Sequence, residues 1–327
     1  MAKIVSVLFG GPSAGSFTEQ SLEKTNRDML TDRGVRAAIN GEKPNVFICF
    51  DFQIADAHDA LNYGIPLKRS VLIKFEPNVV WPYNANSKID RIFGLIIEIG
   101  RDPQKNLVTE YWPQQWPSDY SRKPLSARNA DSVLMINSNK LSFVRGELYS
   151  LRRRCIKKVK GIKLMGGNWD LGIFPRIRNM ASALKLCVIT LNIPHIGGVL
   201  SWFFSWREWM GSPENKTFAL ENYAVTIVIE NSLEFLTEKL FDAFFAGVIP
   251  VYVGPTVEHF GIPSRFVVQA DPNLTSIKYA IEQAKGINYN EWRKEVYEWL
   301  DMASTKEQWS AEKVFDRLFQ KVIENID

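Results

Sequence analysis

The residues best suited to chemistry follow a short apolar strand pattern in the second half of the sequence. The strand pattern ends in Glu230 and Asn231, and after a short loop Thr237 begins a helical pattern with Glu238 and Lys239 in its first turn. The free N–H groups and the dipole of a helix N-terminus attract anions, and Lys239 adds a full positive charge there. The spacing therefore predicts a phosphate-binding site at the tip of a strand.

Other common site motifs are absent from the sequence. It contains no GxGxxG, no GxxxxGK[ST], no HExxH and no DxD, and its three histidines lack ligand spacing. Lysine and arginine total 40 against 36 acidic residues, a net charge of +4. This excess is too small for a protein that binds nucleic acid over its whole surface, so we expect no nucleic-acid partner. Because the metal-binding motifs and histidine spacings are absent, we also expect no metal site.

The cysteines and the apolar runs of the sequence indicate the cellular compartment of the protein. Three cysteines are an odd number without CxxC spacing, which favours reduced thiols and a cytosolic setting. No apolar run is long enough to span a bilayer. The prediction is a cytoplasmic protein, either free or peripheral at the inner face of a membrane.

Alternating strand and helix patterns occupy the first part of the chain. The pattern predicts strands at 3–9, 45–50 and 70–75, and helices at 18–34 and 55–63. Such a βαβαβ order is typical of a parallel sheet covered on both faces. The region 77–127 is rich in proline and predicts loops around one apolar run at 92–99.

A second alternating series follows. It predicts strands at 132–136, 163–165, 224–230, 249–253 and 266–269, and helices at 141–159, 237–245, 273–284, 288–301 and 307–326. The fold class is therefore α/β with two doubly wound parallel sheets. The predicted domains are residues 1–130, residues 131–305, and a C-terminal helix at 306–327 that crosses back to the first domain. Ligands of such sheets bind beyond the carboxyl ends of the strands, which predicts a site in a cleft between the two halves.

One long string resembles a known enzyme family. It reads Glu-Asn-Ser, then Thr-Glu-Lys, then Ala-Gly-Val-Ile-Pro-Val-Tyr-Val-Gly-Pro, within residues 225–272. This order resembles the C-terminal signature of the α-1,3-fucosyltransferases, glycosyltransferase family 10. The resemblance implies a GT-B fold with two Rossmann-like domains, an acceptor-side domain at 1–130 and a nucleotide-sugar domain at 131–305. It also implies inverting transfer of fucose from GDP-fucose to a hydroxyl of a glycan acceptor.

The resemblance also implies a donor-binding set. Lys239 matches the lysine that contacts the donor phosphates, Glu238 the carboxylate on the ribose hydroxyls, and Glu230-Asn231 the Glu-Asn pair on the donor side. Arg145, in Ser-Phe-Val-Arg-Gly-Glu-Leu-Tyr, resembles the arginine that opens a helix and grips the pyrophosphate. Two cations would then stabilise the leaving diphosphate in place of a metal, so no cofactor is required.

The candidate base lies in the first domain. Glu76 ends a predicted strand and precedes a proline, and it resembles the glutamate proposed as the family's general base. A carboxylate that is partly desolvated at a strand tip has a raised pKa, which suits a base.

Several alternatives stay open at this stage. Glu238 and Lys239 could be ordinary helix N-terminal charges, and Asn231 a turn former. Phe235 stands where many family members carry tyrosine, and the preceding loop is short, so another nucleotide sugar is a second candidate donor. A non-catalytic nucleotide- or glycan-binding protein is the third candidate. The basic segment 152–163 is either a solvated helix face or a contact for anionic lipid.

Overall fold

The computed structural model describes two compact units. The first consists of residues 1–113 and 311–327, and the second of residues 114–310. The predicted helix at 18–34 lies outside the described residues. The described residues are 5–14, 35–38, 42–105, 108–189, 202 and 209–326.

Each unit contains a parallel sheet. The strands of the first unit are β1 (Val5–Gly10), β2 (Val35–Ala37), β3 (Val46–Phe50), β4 (Val71–Lys74), β5 (Leu95–Ile99) and β6 (Thr109–Glu110). The strands of the second unit are β7 (Val133–Ile136), β8 (Ile162–Met165), β9 (Val225–Ile229), β10 (Ile249–Val253) and β11 (Val268–Gln269).

Helices cover the sheets. They are α1 (Ile54–Asn62), α2 (Ser87–Asp90), α3 (Tyr149–Lys158), α4 (Ile173–Ile189), α5 (Lys216–Leu220), α6 (Glu238–Phe245), α7 (Leu274–Lys285), α8 (Tyr289–Asp301), α9 (Ala303–Trp309) and α10 (Ala311–Ile326). The α/β class with two parallel sheets is therefore confirmed.

The first sheet has the order β2-β1-β3-β4-β5-β6 and is covered on both faces. Every residue of β3 is buried, which is why its sequence is a continuous apolar run. Phe47 and Cys49 of β3 pack against Ala57 and Ala60 of α1 on one face. The opposite face packs against α10.

The C-terminal helix α10 belongs to the first unit. Val314, Leu318 and Val322 form the apolar stripe visible in the sequence, and all three are fully buried. Leu318 and Val322 pack in the same core as β1, β3, β4 and β5. The predicted helix at 307–326 is interrupted, because Ser310 has an extended backbone (φ −63°, ψ 143°) between α9 and α10. The division between the units falls at this residue.

The structure places residues 114–130 in the second unit, whereas the sequence prediction extended the first domain to residue 130. Ser121 donates its backbone N–H to the carbonyl of Phe245, and the buried Arg128 guanidinium donates to the carbonyls of Tyr223 and Ala246. These contacts join a segment that contains one short 3₁₀ helix (Leu125–Ala127) but no α-helix or strand to the end of α6 and to the residues before β9. Nothing in the local sequence pattern reveals them.

The second sheet has the order β11-β10-β9-β7-β8. The first strand of this unit, β7, therefore lies between β8 and β9, and the chain leaves it in opposite directions on its two sides. This is a topological switch point, where open α/β sheets bind ligands beyond the strands' carboxyl ends.

Candidate active site

Glu230 follows β9 directly, and its carboxylate is hydrogen-bonded to the far end of the loop that leads to helix α6. The side chain is fully buried. It accepts hydrogen bonds from the backbone N–H of Thr237 at 3.0 Å and from the Thr237 hydroxyl at 2.7 Å. The loop between the strand and helix α6 is thus closed on a buried carboxylate.

Lys239 completes this arrangement. Its Nζ lies 2.7 Å from Oγ1 of Thr237 and 3.4 Å from Oε2 of Glu230, and one fifth of its side chain remains exposed. Because the Thr237 hydroxyl is hydrogen-bonded to Glu230, the Thr237 side chain does not cap helix α6. The first-turn N–H groups and the Lys239 ammonium are therefore on the same end of one helix.

A cavity of about 240 Å³ lies beside this helix end. Its walls come from the ends of β7 and β8, from β9, and from helices α5 and α6. The lining residues are Ile136, Asn137, Ser138, Gly166, Gly167, Ser212, Pro213, Lys216, Leu220, Thr226, Ile227, Val228, Glu238, Lys239 and Asp242. The cavity thus occupies the switch point between β7 and β9, with apolar walls and a charged rim, the usual character of a ligand site.

The charges on the rim are coupled. Lys216 Nζ lies 3.4 Å from Oε1 of Glu238 and 3.1 Å from Oδ2 of Asp242. Burial alone would raise the pKa of Glu238, but Lys239 and Lys216 bring it down to about 2. Burial alone would lower the pKa of Lys216, but the two carboxylates raise it. Glu238 is therefore an anion and Lys216 a cation at neutral pH.

A buried arginine holds the side chain and the neighbourhood of Asn231 in place. Arg152 of α3 donates to Oδ1 of Asn231 at 3.0 Å and to the carbonyl of Ile229 at 3.1 Å, and it stacks on Tyr149. In addition, the carbonyl of Asn231 accepts from the backbone N–H of Leu148 at 3.0 Å. Arg152 therefore fixes the carboxyl end of β9, where the donor-side pair is predicted.

The first unit places Glu76 two residues beyond β4, half-buried in a bend. Its backbone N–H donates to Oδ1 of Asp51 at 3.0 Å, and the N–H of Phe75 donates to the same oxygen at 2.9 Å. Asn84 bridges this structure by donating from Nδ2 to Asp51 Oδ1 and to the Glu76 carbonyl, both at 2.6 Å. The Glu76 peptide is thus held on both sides.

Asp51 itself is completely buried and has a left-handed backbone (φ 58°). Its other oxygen accepts from the Ser13 hydroxyl. Burial raises the pKa of Asp51, although the hydrogen bonds from Ser13, Glu76, Asn84 and Phe75 oppose this. A non-glycine residue at positive φ costs about 1 kcal/mol or more, so the surrounding network has to stabilise it. Asp51 is not among the residues predicted from the sequence, although a charged residue directly after a buried strand is a usable signal.

Comparison with solved structures identifies the architecture. No protein-family model matches the sequence, and no curated protein matches it. A crystal structure of an α1,3-fucosyltransferase is similar over 99% of this chain and 91% of that chain, with a TM-score of 0.56 and 13% identity. The chain has the GT-B fold.

Two further structures with this fold differ in their nucleotides. The α1,3-fucosyltransferase with GDP gives a TM-score of 0.53 at 12% identity, covering 100% of this chain and 93% of that one. Anabaena HepE with UDP-glucose gives 0.52 at 9% identity, covering 98% and 99%. At such identities the similarity shows the GT-B fold, and both GDP and UDP occur among the similar structures.

The GT-B structure corrects the expectation for Arg145. The sequence predicted a helix from Leu141 that includes this residue, but α3 begins only at Tyr149. Gly146 has a φ of 92°, which ends any helical run, and the Glu147 carboxylate accepts from the backbone N–H of Ser150 at 2.9 Å. Arg145 therefore lies in an exposed turn, and it has no hydrogen-bond or ion-pair partner among the described residues.

The expectation of a solvated basic face is wrong for two arginines of this GT-B chain. Arg152 is 3% exposed and Arg153 is 1% exposed. Arg153 donates to the carbonyl of Lys140 at 2.8 Å. Two cations of the basic segment 152–163 therefore point into the second unit, while Arg154, Lys157 and Lys158 are exposed.

The structure also shows the surroundings of two aromatic residues that the sequence singled out. Phe235, the position that raised doubt about the donor sugar, is buried at 4% exposure. Trp202 is buried and donates to the carbonyl of Asn139 at 3.2 Å, while residues 203–208 of the aromatic segment lie outside the described residues. In the part of the chain that the structure describes, no group of three or more His, Cys, Asp or Glu side chains could hold a metal ion.

Proposed function

We propose that this protein is a glycosyltransferase that binds a nucleoside diphosphate sugar in the cavity of its second unit. The observation that carries the proposal is the placement of Glu238 and Lys239 on the rim of a cavity at the switch point of a GT-B sheet. A carboxylate that stays ionised can accept from ribose hydroxyls, and the adjacent ammonium can meet phosphate oxygens.

Two of the sequence candidates receive positioning roles in this proposal. Glu230 is fully buried and its oxygens are occupied by Thr237 and Lys239, so it sets the position of the lysine. Asn231 is held by Arg152 and orders the end of the strand. Glu238, Lys239 and Arg145 are left as the proposed donor contacts.

For the finer activity we propose inverting transfer of fucose from GDP-fucose to a glycan hydroxyl, as the resemblance of residues 225–272 implies. The Glu76 carboxylate takes the proton of the acceptor hydroxyl. The acceptor oxygen then forms a bond to the anomeric carbon from the face opposite the nucleotide. The bond between that carbon and the diphosphate oxygen breaks, and the electron pair leaves with GDP.

The charge on the departing diphosphate is met by Lys239 and Arg145. Arg145 is exposed and without a partner among the described residues, so its guanidinium is available to an incoming anion. Fixed cations are among the strongest contributors to such transfers because the leaving group gains negative charge in the transition state. The proposal requires no metal ion for this reason.

A second candidate function is the same transfer from a UDP-sugar. The similarity to HepE in its UDP-glucose complex is nearly as high as the similarity to the fucosyltransferase, and it supports this alternative. A non-catalytic nucleotide-binding role is the remaining candidate.

The test combines binding and turnover. Calorimetry with GDP, UDP, GDP-fucose and UDP-glucose identifies the nucleotide, and mass spectrometry of reactions on a glycan array identifies the product. Tighter binding of GDP, with fucosylated product that Glu76→Ala abolishes, supports the finer proposal. A preference for UDP transfers the proposal to the second candidate. Tight nucleotide binding without product from any acceptor supports the non-catalytic role.

A further inference from the structure

Helix α4 exposes a group of large apolar side chains that the proposed function does not use. Few of the helix's described side chains are buried, and five large apolar ones are more than 40% exposed. They are Ile173 (64%), Phe174 (83%), Ile177 (47%), Leu184 (44%) and Val188 (61%), which together we name the α4 stripe. Singly exposed apolar residues are normal on a protein surface, but a continuous group of this kind marks a contact surface.

The members of the α4 stripe share one side of the helix. At 100° per residue, Ile173, Ile177, Leu184 and Val188 lie within an arc of about 60°, and Phe174 extends this arc to about 100°. At 1.5 Å per residue, the stripe is about 22 Å long. It is therefore a continuous apolar surface rather than a set of scattered side chains.

Only positive charge accompanies the stripe on this helix. Arg178 and Lys185 are exposed and follow the stripe at its edge, at about 120 to 140° on the same scale. None of the residues of Ile173–Ile189 is Asp or Glu. An apolar face bordered by lysine and arginine, without acids, is the pattern of helices that lie in the surface of an anionic bilayer.

A buried arginine fixes the rotation of the helix about its axis. Arg176 is 2% exposed and donates to the carbonyls of Leu171 at 2.6 Å and Trp169 at 2.9 Å, and also to the carbonyl of Trp202. Because this residue points inward in the first turn, the stripe has a defined outward orientation.

We propose that the α4 stripe docks on the surface of an anionic lipid bilayer. The apolar side chains enter the boundary between headgroups and acyl chains, and Arg178 and Lys185 meet lipid phosphates. No helix in the described part of the chain is long and apolar enough to cross a membrane.

A second copy of the chain fits this face less well. A symmetric pairing through the stripe would bring Arg178 and Lys185 of one copy close to the same two cations of the other copy, and helix α4 has no carboxylate to neutralise them. The basic segment 152–163 is also a weaker candidate for lipid contact, because Arg152 and Arg153 are buried.

The test measures vesicle binding by the full-length protein. Flotation is performed with vesicles of phosphatidylcholine alone, and with vesicles in which about one third of the lipid is phosphatidylglycerol. The variant is Ile177→Asp with Leu184→Asp. The matched control, Asn179→Asp with Ser182→Asp, adds the same charge at exposed positions outside the stripe of the same helix.

We expect the wild-type protein and the control to bind the anionic vesicles, and the stripe variant to bind at least about tenfold less. Equal far-UV circular dichroism shows that all proteins are folded. The proposal is overturned if the wild type does not bind anionic vesicles, if it binds neutral vesicles equally well, or if both double variants lose binding equally. A wild-type dimer that only the stripe variant dissociates also overturns it, because the occupant is then a second copy.

Discussion

The backbone N–H of Glu76 donates a hydrogen bond to the fully buried Asp51 carboxylate at 3.0 Å. The same carboxylate holds the preceding N–H of Phe75 and the amide of Asn84, which in turn holds the Glu76 carbonyl. The position of the proposed base is therefore set by a residue that is distant in sequence and is itself held in a left-handed conformation.

The variant Asp51→Asn tests this positioning. An asparagine replaces one acceptor oxygen by an NH2 group, which opposes the donors around it, so the Glu76 peptide shifts. We expect kcat to fall about 10- to 100-fold while KM for the donor changes little, because the proposed donor site lies in the other unit. Steady-state kinetics provide the measurement, and Asp59→Asn on the exposed side of α1 is the control. An unchanged kcat in a folded Asp51→Asn protein shows that the clamp does not position the base.

The exposed Arg145 and the buried Arg152 are expected to behave differently. Arg145→Ala removes an exposed cation, so affinity for the nucleoside diphosphate should fall about tenfold while thermal stability is unchanged. Arg152→Ala removes a buried cation that holds Ile229 and Asn231, so the protein should lose about 2 to 4 kcal/mol of unfolding free energy. Calorimetry and urea unfolding measure the two effects. If both variants lose only stability, Arg145 is not a donor contact.

Most strands and helices of the fold could be predicted from the sequence. Continuous apolar runs such as Val46–Phe50 and Ile249–Val253 predict buried parallel strands because both of their faces are covered. The start of α6 and the stripe of α10 follow from equally local signals. Helix α4 was missed, since an exposed apolar face does not give the usual inward periodicity.

The candidate site was predictable only in part. Glu230, Asn231, Glu238 and Lys239 are close in sequence, and the structure keeps them together. Asp51 and Arg152 act through contacts that span 25 and 79 residues. The position of Asp51 directly after a buried strand marks it as a candidate, but a single sequence does not show which residues it contacts. Arg152 lies among other basic residues and resembles a surface charge in the sequence.

Glu230 offers a test of the loop that places Lys239. Glu230→Gln keeps the size of the side chain but removes the charge that attracts the ammonium at 3.4 Å, and its NH2 group opposes the Thr237 donors. We expect affinity for a nucleoside diphosphate to fall about tenfold, with a smaller effect on the free nucleoside. Titration calorimetry compares the two ligands, and Glu282→Gln on the exposed side of α7 is the control. Equal losses for both ligands contradict a role at the phosphates.

The attachment of α10 predicts a pH dependence of stability. Glu110 of β6 is buried and accepts from Arg317 at 2.7 Å and from Lys321 at 2.9 Å. Burial alone would raise the pKa of Glu110, but these two cations lower it below its ordinary value of 4.5. The stabilisation is therefore fully present above pH 4.5, and it is lost as the pH falls below 4.5 through the lowered pKa of the folded state.

Glu110→Gln is the corresponding variant. It should cost about 1 to 3 kcal/mol near neutral pH, because the two partners are partly exposed, and its cost should shrink in acid. Urea unfolding near neutral pH and at about pH 3 measures this difference. A cost that is the same at both pH values would show that the ion pairs do not hold the helix.

The most direct test of the account is titration calorimetry of a nucleoside diphosphate, with GDP and UDP in separate experiments, against the wild-type protein, Lys239→Met and the control Lys285→Met. We expect the wild type and the control to bind at least one of the two nucleotides, and Lys239→Met to bind it about tenfold or more weakly with its fold intact. Binding that Lys239→Met leaves unchanged, or no binding of either nucleotide by the wild type, would contradict a diphosphate site at the start of helix α6.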